Sequence, residues 1–208
     1  MDNTLKVNFE NLSESERKQL LSLVEKSNKA VKLSEIPVGH TFKIGDVTYI
    51  KFADKDGVTT AVTKDIVFNS DFGDNNNFAK SKVFEKLNNE FLPKVAEIIG
   101  YENICNVTTD LTTLDGLKPY EPMTSKISLP TLDFYRENVE IFDRHKVSAW
   151  WWLATPESAK PHDDPKWIVC VSPSGCISGS VYCNYGGGYF GVRPLLNFVS
   201  SISVSCED

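Results

Sequence analysis

The stretch YCNYGGGYFGVRPLLNF, residues 182–198, joins a weakly specified segment to a strongly specified one. Its first half carries tyrosines, an asparagine and three consecutive glycines, which do not prescribe a packed core. Its second half, GVRPLL, is apolar around Pro194, whose ring fixes φ and removes a backbone donor. Arg193 carries a planar set of donors that could bind a ligand carboxylate or several backbone carbonyls. The apolar setting of Arg193 favours the second use, so we expect a structural role for it.

The segment SGSVYCNYGGGYF, residues 178–190, has the composition of an antibody paratope. Tyrosine gives a large contact area for little rotamer entropy, while serine, glycine and asparagine adapt their hydrogen bonds. We therefore expect an adaptable binding surface carried by a rigid frame. The predicted ligand-binding residues are Trp151 at the edge of the surface, Ser178, Ser180, Tyr182, Asn184, Tyr185 and Tyr189. The alternative is a long flexible turn whose tyrosines merely cover a sheet.

The composition limits the class of protein. A chain of 208 residues with 41% hydrophobic residues and 23 aromatic residues can build a substantial core. No apolar run approaches the roughly 20 residues that span a bilayer, so we expect no membrane insertion. A net charge of -6 and a pI of about 5.2 argue against a nucleic acid partner, which calls for a basic patch.

The amino terminus shows no secretory signal, so we expect synthesis in the cytoplasm. Ser13 precedes Glu16 at the spacing of a capping box, which predicts a helix from Ser13 to about Ala30. The apolar face of this helix could dock on the domain or form a homo-oligomer; its residues are Leu20, Leu23, Val24 and Ser27. SEIPVG, residues 34–39, has the composition of a linker. We accordingly assign 1–33 to the N-terminal helix and linker, and 34–208 to the main domain.

Strand and helix signals alternate through the main domain. TFKIGDVTYIKF (41–52) predicts a hairpin around Gly45-Asp46, and DGVTTAV and DIVF predict short strands. FAKSKVFEKLNNEF (78–91) has helical spacing up to Pro93, and a second short helix is expected near Thr131. KWIVCVSPSGCISGSV (166–181) predicts two strands around an SPSG turn. We expect most of the tryptophans at 150–152 to be core residues, with one of them nearer the surface.

The pair WWLATP (151–156) and GVRPLLNF (191–198), with LTTLDG and LPTLDFYREN upstream, resembles a family found in bacteria, their phages and prophages. Its members are similar to the C-type-lectin-like, formylglycine-generating-enzyme fold. The resemblance covers about residues 37–198. It implies an α+β, C-type-lectin-like fold with twisted antiparallel strands and two packed helices, here preceded by the N-terminal helix. Some proteins with this ending are variable products of diversity-generating retroelements, which display altered residues on a lectin-like surface.

Catalysis finds little support in the sequence. His40, His145 and His162 stand in separate contexts, and no metalloprotease or hydrolase motif is present. PHDDP, residues 161–165, is expected to be an exposed turn rather than a metal site. The five cysteines are odd in number and form no C-x-x-C pair, so we expect free thiols, and neither a cofactor nor a metal. The formylglycine-generating relatives use active-site cysteines, which keeps open an oxidase that uses Cys170, Cys176 and Cys183.

The function predicted from these observations is recognition of a protein or glycan ligand on a cell surface. The resemblance implies a phage or prophage protein, associated with the virion, which could be the variable protein of a diversity-generating retroelement. Because the sequence shows no catalytic motif, we expect a protein that is not an enzyme. Two alternatives stay open: the oxidase, and a structural tail or virion component without a binding surface of its own.

Overall fold

The computed structural model describes residues 12–19, 30–160, 162, 165–185 and 188–206. The described chain is a mixed α+β fold in which strands dominate and a few short helices pack on curled antiparallel sheet. Its strands are β1 Ala30–Lys32, β2 Thr41–Ile44, β3 Val47–Lys55, β4 Val58–Thr63, β5 Phe68–Asn69, β6 Ile104–Cys105, β7 Val107–Thr109, β8 Met123–Ser125, β9 Trp151–Pro156, β10 Trp167–Val171, β11 Ile177–Tyr182, β12 Gly191–Val192, β13 Leu195–Val199 and β14 Ser203–Cys206. The helical segments are 14–19, Lys82–Lys86, the π-helical Leu87–Phe91, Leu92–Ile99, Leu132–Glu137 and Val139–Arg144, with 3-10 turns at Leu33–Glu35, Phe78–Lys80 and Tyr101–Asn103.

The larger sheet has seven strands in the order β1-β14-β2-β3-β4-β13-β6, all paired antiparallel. The predicted hairpin is confirmed, because Ile44 pairs with Val47 and Gly45 adopts a φ of 59° in the connecting turn. The predicted DGVTTAV strand is β4, which pairs with β13 from the GVRPLLNF segment. The hairpin strands near the start of the domain therefore pair with its C-terminal segment, while the first and last strands, β1 and β14, pair at one edge of this sheet.

The smaller sheet has five strands in the order β11-β10-β9-β12-β5. The two hairpin strands β10 and β11 are confirmed, and β11 forms one edge of the sheet. Strand β12 runs parallel to β9, where Gly191 pairs with Trp151, and antiparallel to the two-residue β5. WWLATP and the start of GVRPLL thus lie side by side. A separate pair, β7 with β8, completes the described strands.

Strand β9 is buried on both faces, so it separates two core clusters. Trp152 lies in the first cluster, where its Nε1 donates a hydrogen bond of 2.9 Å to the Ser70 carbonyl. Trp151 lies in the second cluster and contacts Phe142 at 5.5 Å between ring centroids. Trp150, one residue before the strand, is 39% exposed. The prediction that most of the three tryptophans are core residues, with one nearer the surface, is confirmed.

Arg193 is buried between the two sheets. Its Nε donates a hydrogen bond of 3.0 Å to the Thr63 carbonyl, and its guanidinium carbon lies 5.0 Å from the Trp151 ring centroid and 5.5 Å from that of Phe142. Burial lowers the pKa of Arg193 to about 10, so the side chain is still a cation at neutral pH. This surrounding agrees with the predicted place of Arg193 in the frame.

Both helical segments predicted for the main domain form, although the first opens with a 3-10 turn at Phe78–Lys80 and its α-helix begins only at Lys82. The Ser81 hydroxyl accepts a hydrogen bond of 3.0 Å from the Phe84 amide, and Thr131 accepts one of 3.2 Å from the Phe134 amide. Pro93 stands in the first turn of Leu92–Ile99, directly after the π-helical turn, so it interrupts the helical segment without ending it.

The N-terminal segment departs from the prediction. The capping box forms, since the Ser13 amide donates to Glu16 Oε2 at 2.8 Å. Ala30, however, begins strand β1 and pairs with Ser205, so a helix that reaches Ala30 is wrong. The predicted oligomer face of Leu20, Leu23, Val24 and Ser27 lies outside the described residues.

The segment assigned to the linker lies between strands β1 and β2 of the larger sheet. Leu33 is fully buried, and its carbonyl accepts a hydrogen bond of 2.8 Å from the Lys51 ammonium. Lys51 is itself buried and pairs with Asp54 at 2.6 Å, while Asp54 accepts a further bond of 2.9 Å from the Ser200 hydroxyl. The domain thus begins with β1, before residue 34. Across the ranges the structure describes, no helix has the length and apolar character needed to cross a membrane.

Candidate functional site

The site begins at the β10–β11 hairpin. Its turn is closed by a hydrogen bond of 2.8 Å from the Ser172 amide to the Cys176 carbonyl, and Gly175 supplies a φ of 90°. The predicted SPSG turn is therefore confirmed. The Trp167 carbonyl at the start of β10 accepts hydrogen bonds from the Asn76 side chain at 2.9 Å and from the Glu157 amide at 3.1 Å. These bonds fix Trp167 in place.

A β-bulge sets which side chains face each other across the hairpin. Cys170 pairs with Ser178 and Ile168 pairs with Val181, so three steps along β11 match two steps along β10. The extra residue places Tyr182 opposite Trp167. Their rings lie 4.0 Å apart between centroids at an interplanar angle of 32°. The bulge thus builds an aromatic pair at the end of the edge strand.

The chain that follows β11 is fastened at both ends of its loop. The Cys183 amide donates to the Lys166 carbonyl at 2.7 Å, and the Cys183 carbonyl accepts a bond of 2.8 Å from the Phe72 amide. At the other end, the Phe190 carbonyl accepts a bond of 3.1 Å from the Ser70 amide. The loop between them includes 186–187, which lie outside the described residues.

A cavity of about 480 Å³ opens between this loop and the end of the hairpin. Its volume falls in the range of small-ligand sites. Eight described residues line it, and six of them are aromatic: Trp150, Trp167, Tyr182, Tyr185, Tyr189 and Phe190. The other two described lining residues are Ser180 and Val181. We call these eight residues the aromatic pocket.

The floor of the aromatic pocket packs on the core, and its rim is exposed. Phe190 stacks on Trp152 of the core at 4.0 Å and 20°, so the floor is continuous with the first core cluster. Tyr182, Tyr185 and Tyr189 are 45%, 53% and 70% exposed, respectively. A ligand could therefore reach the tyrosine rings without any change in the core.

The structure brings together four of the seven predicted binding residues. Ser180, Tyr182, Tyr185 and Tyr189 line the aromatic pocket, and all four are exposed. Asn184 is exposed and Ser178 is half-buried, but neither lines the pocket.

The prediction that Trp151 lies at the edge of the binding surface is wrong, because this residue is only 2% exposed. Its ring packs on Tyr135 and Phe142 in the second core cluster, whereas the pocket floor belongs to the first. The two clusters lie on opposite faces of β9, so Trp151 points away from the pocket. The neighbouring Trp150 takes the place at the edge that was predicted for Trp151.

Sequence reasoning missed Trp150, Trp167, Val181 and Phe190. Trp167 opens the predicted KWIVCV strand and could have been paired across the SPSG turn with the tyrosine-rich strand. Phe190 carries a weaker signal, because its position beside GVRPLL suggests only core.

The cysteines near the pocket are not activated. Cys170 and Cys183 are buried free thiols, and burial raises the pKa of each to about 12. Both are therefore protonated at neutral pH, where the thiolate is the reactive species. Cys176, the third cysteine of the oxidase alternative, is an exposed free thiol.

The histidine of PHDDP pairs with a remote carboxylate. His162 is exposed, and its Nδ1 lies 2.7 Å from Asp115 Oδ2. The pKa of Asp115 is lowered chiefly by a hydrogen bond from the Thr113 hydroxyl, and further by the bond with His162. The neighbouring Asp163 and Asp164 lie outside the described residues. Within the residues that the structure places, no group of three or more histidine, cysteine, aspartate or glutamate side chains could hold a metal ion.

No charged side chain lines the aromatic pocket among the described residues. The pocket offers ring faces and the hydroxyls of Ser180 and the three tyrosines. Comparison of the whole chain with models of protein families, with curated proteins and with solved structures finds no match.

Proposed function

We propose that this protein recognises a ligand on a cell surface and binds it in the aromatic pocket. The observation that carries the proposal is the cavity itself, in which exposed tyrosines surround a floor that rests on the core. Aromatic side chains provide most of the energy of many interfaces, and the hydroxyls of a tyrosine-rich rim adapt to different partners.

A rigid frame supports this use of the loop. Both loop ends are held by the backbone of residues 70–72, through the hydrogen bonds at Cys183 and Phe190. Because backbone hydrogen bonds hold the frame, the exposed rim can change while the fold is maintained. That combination suits a protein whose partner varies.

We further propose that the fold is a C-type-lectin-like variant and that the protein acts as a receptor-recognition protein of phage or prophage origin. The two halves of the motif that carries the resemblance lie side by side, since the Gly191 amide donates to the Trp150 carbonyl at 2.7 Å. A diversified binder would vary the exposed tyrosine rim and keep β9 and β12. A neighbouring reverse transcriptase gene, with a near-repeat of the final coding segment that differs at adenines, would identify such a retroelement.

The test replaces Tyr182, Tyr185 and Tyr189 together by serine. We expect the variant to stay folded, with a thermal midpoint lowered by no more than about 10 °C. Tyr185 and Tyr189 should each cost about 0.5 kcal/mol or less, and Tyr182 should cost about 0.5–1.5 kcal/mol more through its contact with Trp167. Capture of ligands from a glycan and cell-surface panel should be lost. Tyr101→Ser is the control, because Tyr101 is 55% exposed and lies outside the pocket.

Two results would overturn the proposal. If the triple variant unfolds, the tyrosines belong to the core. If the folded variant captures the same ligands as the parent, the protein binds elsewhere, and a structural virion component becomes the better reading.

A further inference from the structure

The lining of the aromatic pocket is unusual for an apolar cavity. Val181 is its one aliphatic residue among the described lining, and six residues are aromatic. Aliphatic and aromatic walls both release water from apolar surface. Aromatic rings add a negative electrostatic potential above each ring face, which attracts cations. The aromatic composition therefore favours a ligand that carries a positive charge as well as apolar surface.

The orientation of the rings indicates the shape of the ligand. Tyr185 meets Phe190 at 84° and Tyr189 at 62°, while Trp150 meets Phe190 at 58°. Rings in such different planes surround a rounded group from several sides. A flat ligand would need two parallel faces with a gap between them. Among the lining rings that contact each other, the pair nearest to parallel is Trp167 with Tyr182, and at 4.0 Å between centroids it leaves no gap.

The charge of the pocket indicates the sign of the ligand. None of the described lining residues carries a charge, so an anion would find no cationic partner there. The ring faces and the net charge of -6 both favour a positive group. A strongly hydrated ammonium would lose water without a carboxylate to replace it. A quaternary ammonium is rounded, positive and weakly hydrated, and it meets all three conditions.

We propose that the aromatic pocket binds a trimethylammonium head group through cation–π contacts with its ring faces. This inference rests on the proposed ligand-binding function and specifies the chemistry of the ligand. The volume of about 480 Å³ exceeds what a trimethylammonium group fills, so the pocket can also admit the portion of a larger molecule that bears it.

In the test, the full chain is titrated with choline chloride and, separately, with 3,3-dimethyl-1-butanol, and calorimetry measures binding at constant ionic strength. The two molecules have the same shape, but dimethylbutanol, called the alcohol below, has a neutral carbon in place of the charged nitrogen. We expect choline to bind at least about fivefold more tightly, the difference that a partly desolvated cation–π contact produces. Phosphocholine provides a second arm, and it should also bind, because it carries the same head group.

Matched variants locate the contact. Trp167→Leu and Tyr189→Leu keep apolar surface and remove one ring face each. Each should weaken choline binding by about threefold or more and leave the weak binding of the alcohol unchanged. Tyr189 is 70% exposed, so this variant stays folded and keeps the test valid if Trp167→Leu does not. Tyr101→Leu should leave both affinities unchanged.

Three results would overturn the inference. Equal affinity for choline and the alcohol would make the pocket a simple apolar site. Binding of phosphocholine without choline would assign the affinity to the phosphate. Absence of choline binding at millimolar concentration would exclude the head group. None of these results removes the proposed function, which is decided separately by the tyrosine-to-serine variant and the ligand panel.

Discussion

The ring of Trp167 lies 4.0 Å from the ring of Tyr182, across the β10–β11 pair and at the outer edge of the smaller sheet. This contact joins a residue that the backbone holds firmly to one that is 45% exposed. Tyr182 therefore has a fixed place in the rim, although it stands at the end of an edge strand.

The pair should be energetically coupled. Unfolding of Trp167→Ala, Tyr182→Ala and the double variant in urea should show a coupling free energy of about 0.5–1.5 kcal/mol, as for other aromatic pairs in contact. If the loss of unfolding free energy in the double variant equals the sum of the losses in the two single variants, the two rings do not stabilise each other in solution.

Arg193 should be essential to the frame. Arg193→Ala should lower the free energy of unfolding by about 2–5 kcal/mol, because it removes the bond to Thr63 and leaves a cavity between the sheets. Arg136→Ala is the matched control, since Arg136 is exposed, and it should cost about 0.5 kcal/mol or less. Equal stability of the two variants in urea denaturation would show that Arg193 is dispensable.

Gly191 should not tolerate a side chain. A Cβ at this position would clash with Ile66 Cδ1 and would lie 2.5 Å from Ile66 Cγ1. We expect Gly191→Ala to destabilise the fold by about 1–3 kcal/mol, as overpacking commonly does. Adding Ile66→Ala should recover part of this loss, because it removes the clashing atoms. If the double variant is less stable than Gly191→Ala by the full cost of Ile66→Ala alone, the close contact is not the cause.

Acid should weaken the fold through Asp54. Burial raises the pKa of this carboxyl, but hydrogen bonds from Lys51, Ser200 and Thr59 and the charge of Lys51 outweigh this effect, so the pKa is lowered from its ordinary value. A lowered pKa stabilises the folded state above the unfolded value, and this contribution disappears as the pH falls through the folded value.

Asp54→Asn tests this dependence. The variant should be less stable than the parent at pH 7, since it leaves the buried Lys51 without its carboxylate. The difference should shrink as the pH falls below about 4, where the parent carboxyl also becomes neutral. Asp46→Asn, in the exposed β2–β3 turn, should keep the pH 7 stability of the parent. A difference between Asp54→Asn and the parent that is constant from pH 7 to pH 2 would contradict the assignment.

Much of the local structure could be predicted from the sequence, because local signals determine it. The Gly45-Asp46 and SPSG turns, the caps at Ser81 and Thr131 and the buried Arg193 all follow from residue types at fixed spacings. The exposed tyrosines follow in the same way from their polar, glycine-rich surroundings.

The errors arise where contacts between residues far apart in the sequence determine the structure. Ala30 continues a helical pattern, but it pairs with Ser205 in a contact that no local signal announces. Trp151 and Trp152 are both buried because β9 has a core on each side, so alternation could not show which one faces the site. Counting back from the SPSG turn pairs Trp167 with Val181, and the bulge moves this partner to Tyr182.

The fastening of Cys183 and Phe190 to one short backbone segment bears on how this protein can evolve. Phe72 and Ser70 hold the two ends of the loop, so the distance that the loop must close is set outside it. Each doubling of loop length then costs only about 0.6 kcal/mol of closure entropy. The fold can thus tolerate insertions and deletions in the loop as well as substitutions. Descendants of this chain can therefore acquire new partners by changing loop length while they share one scaffold.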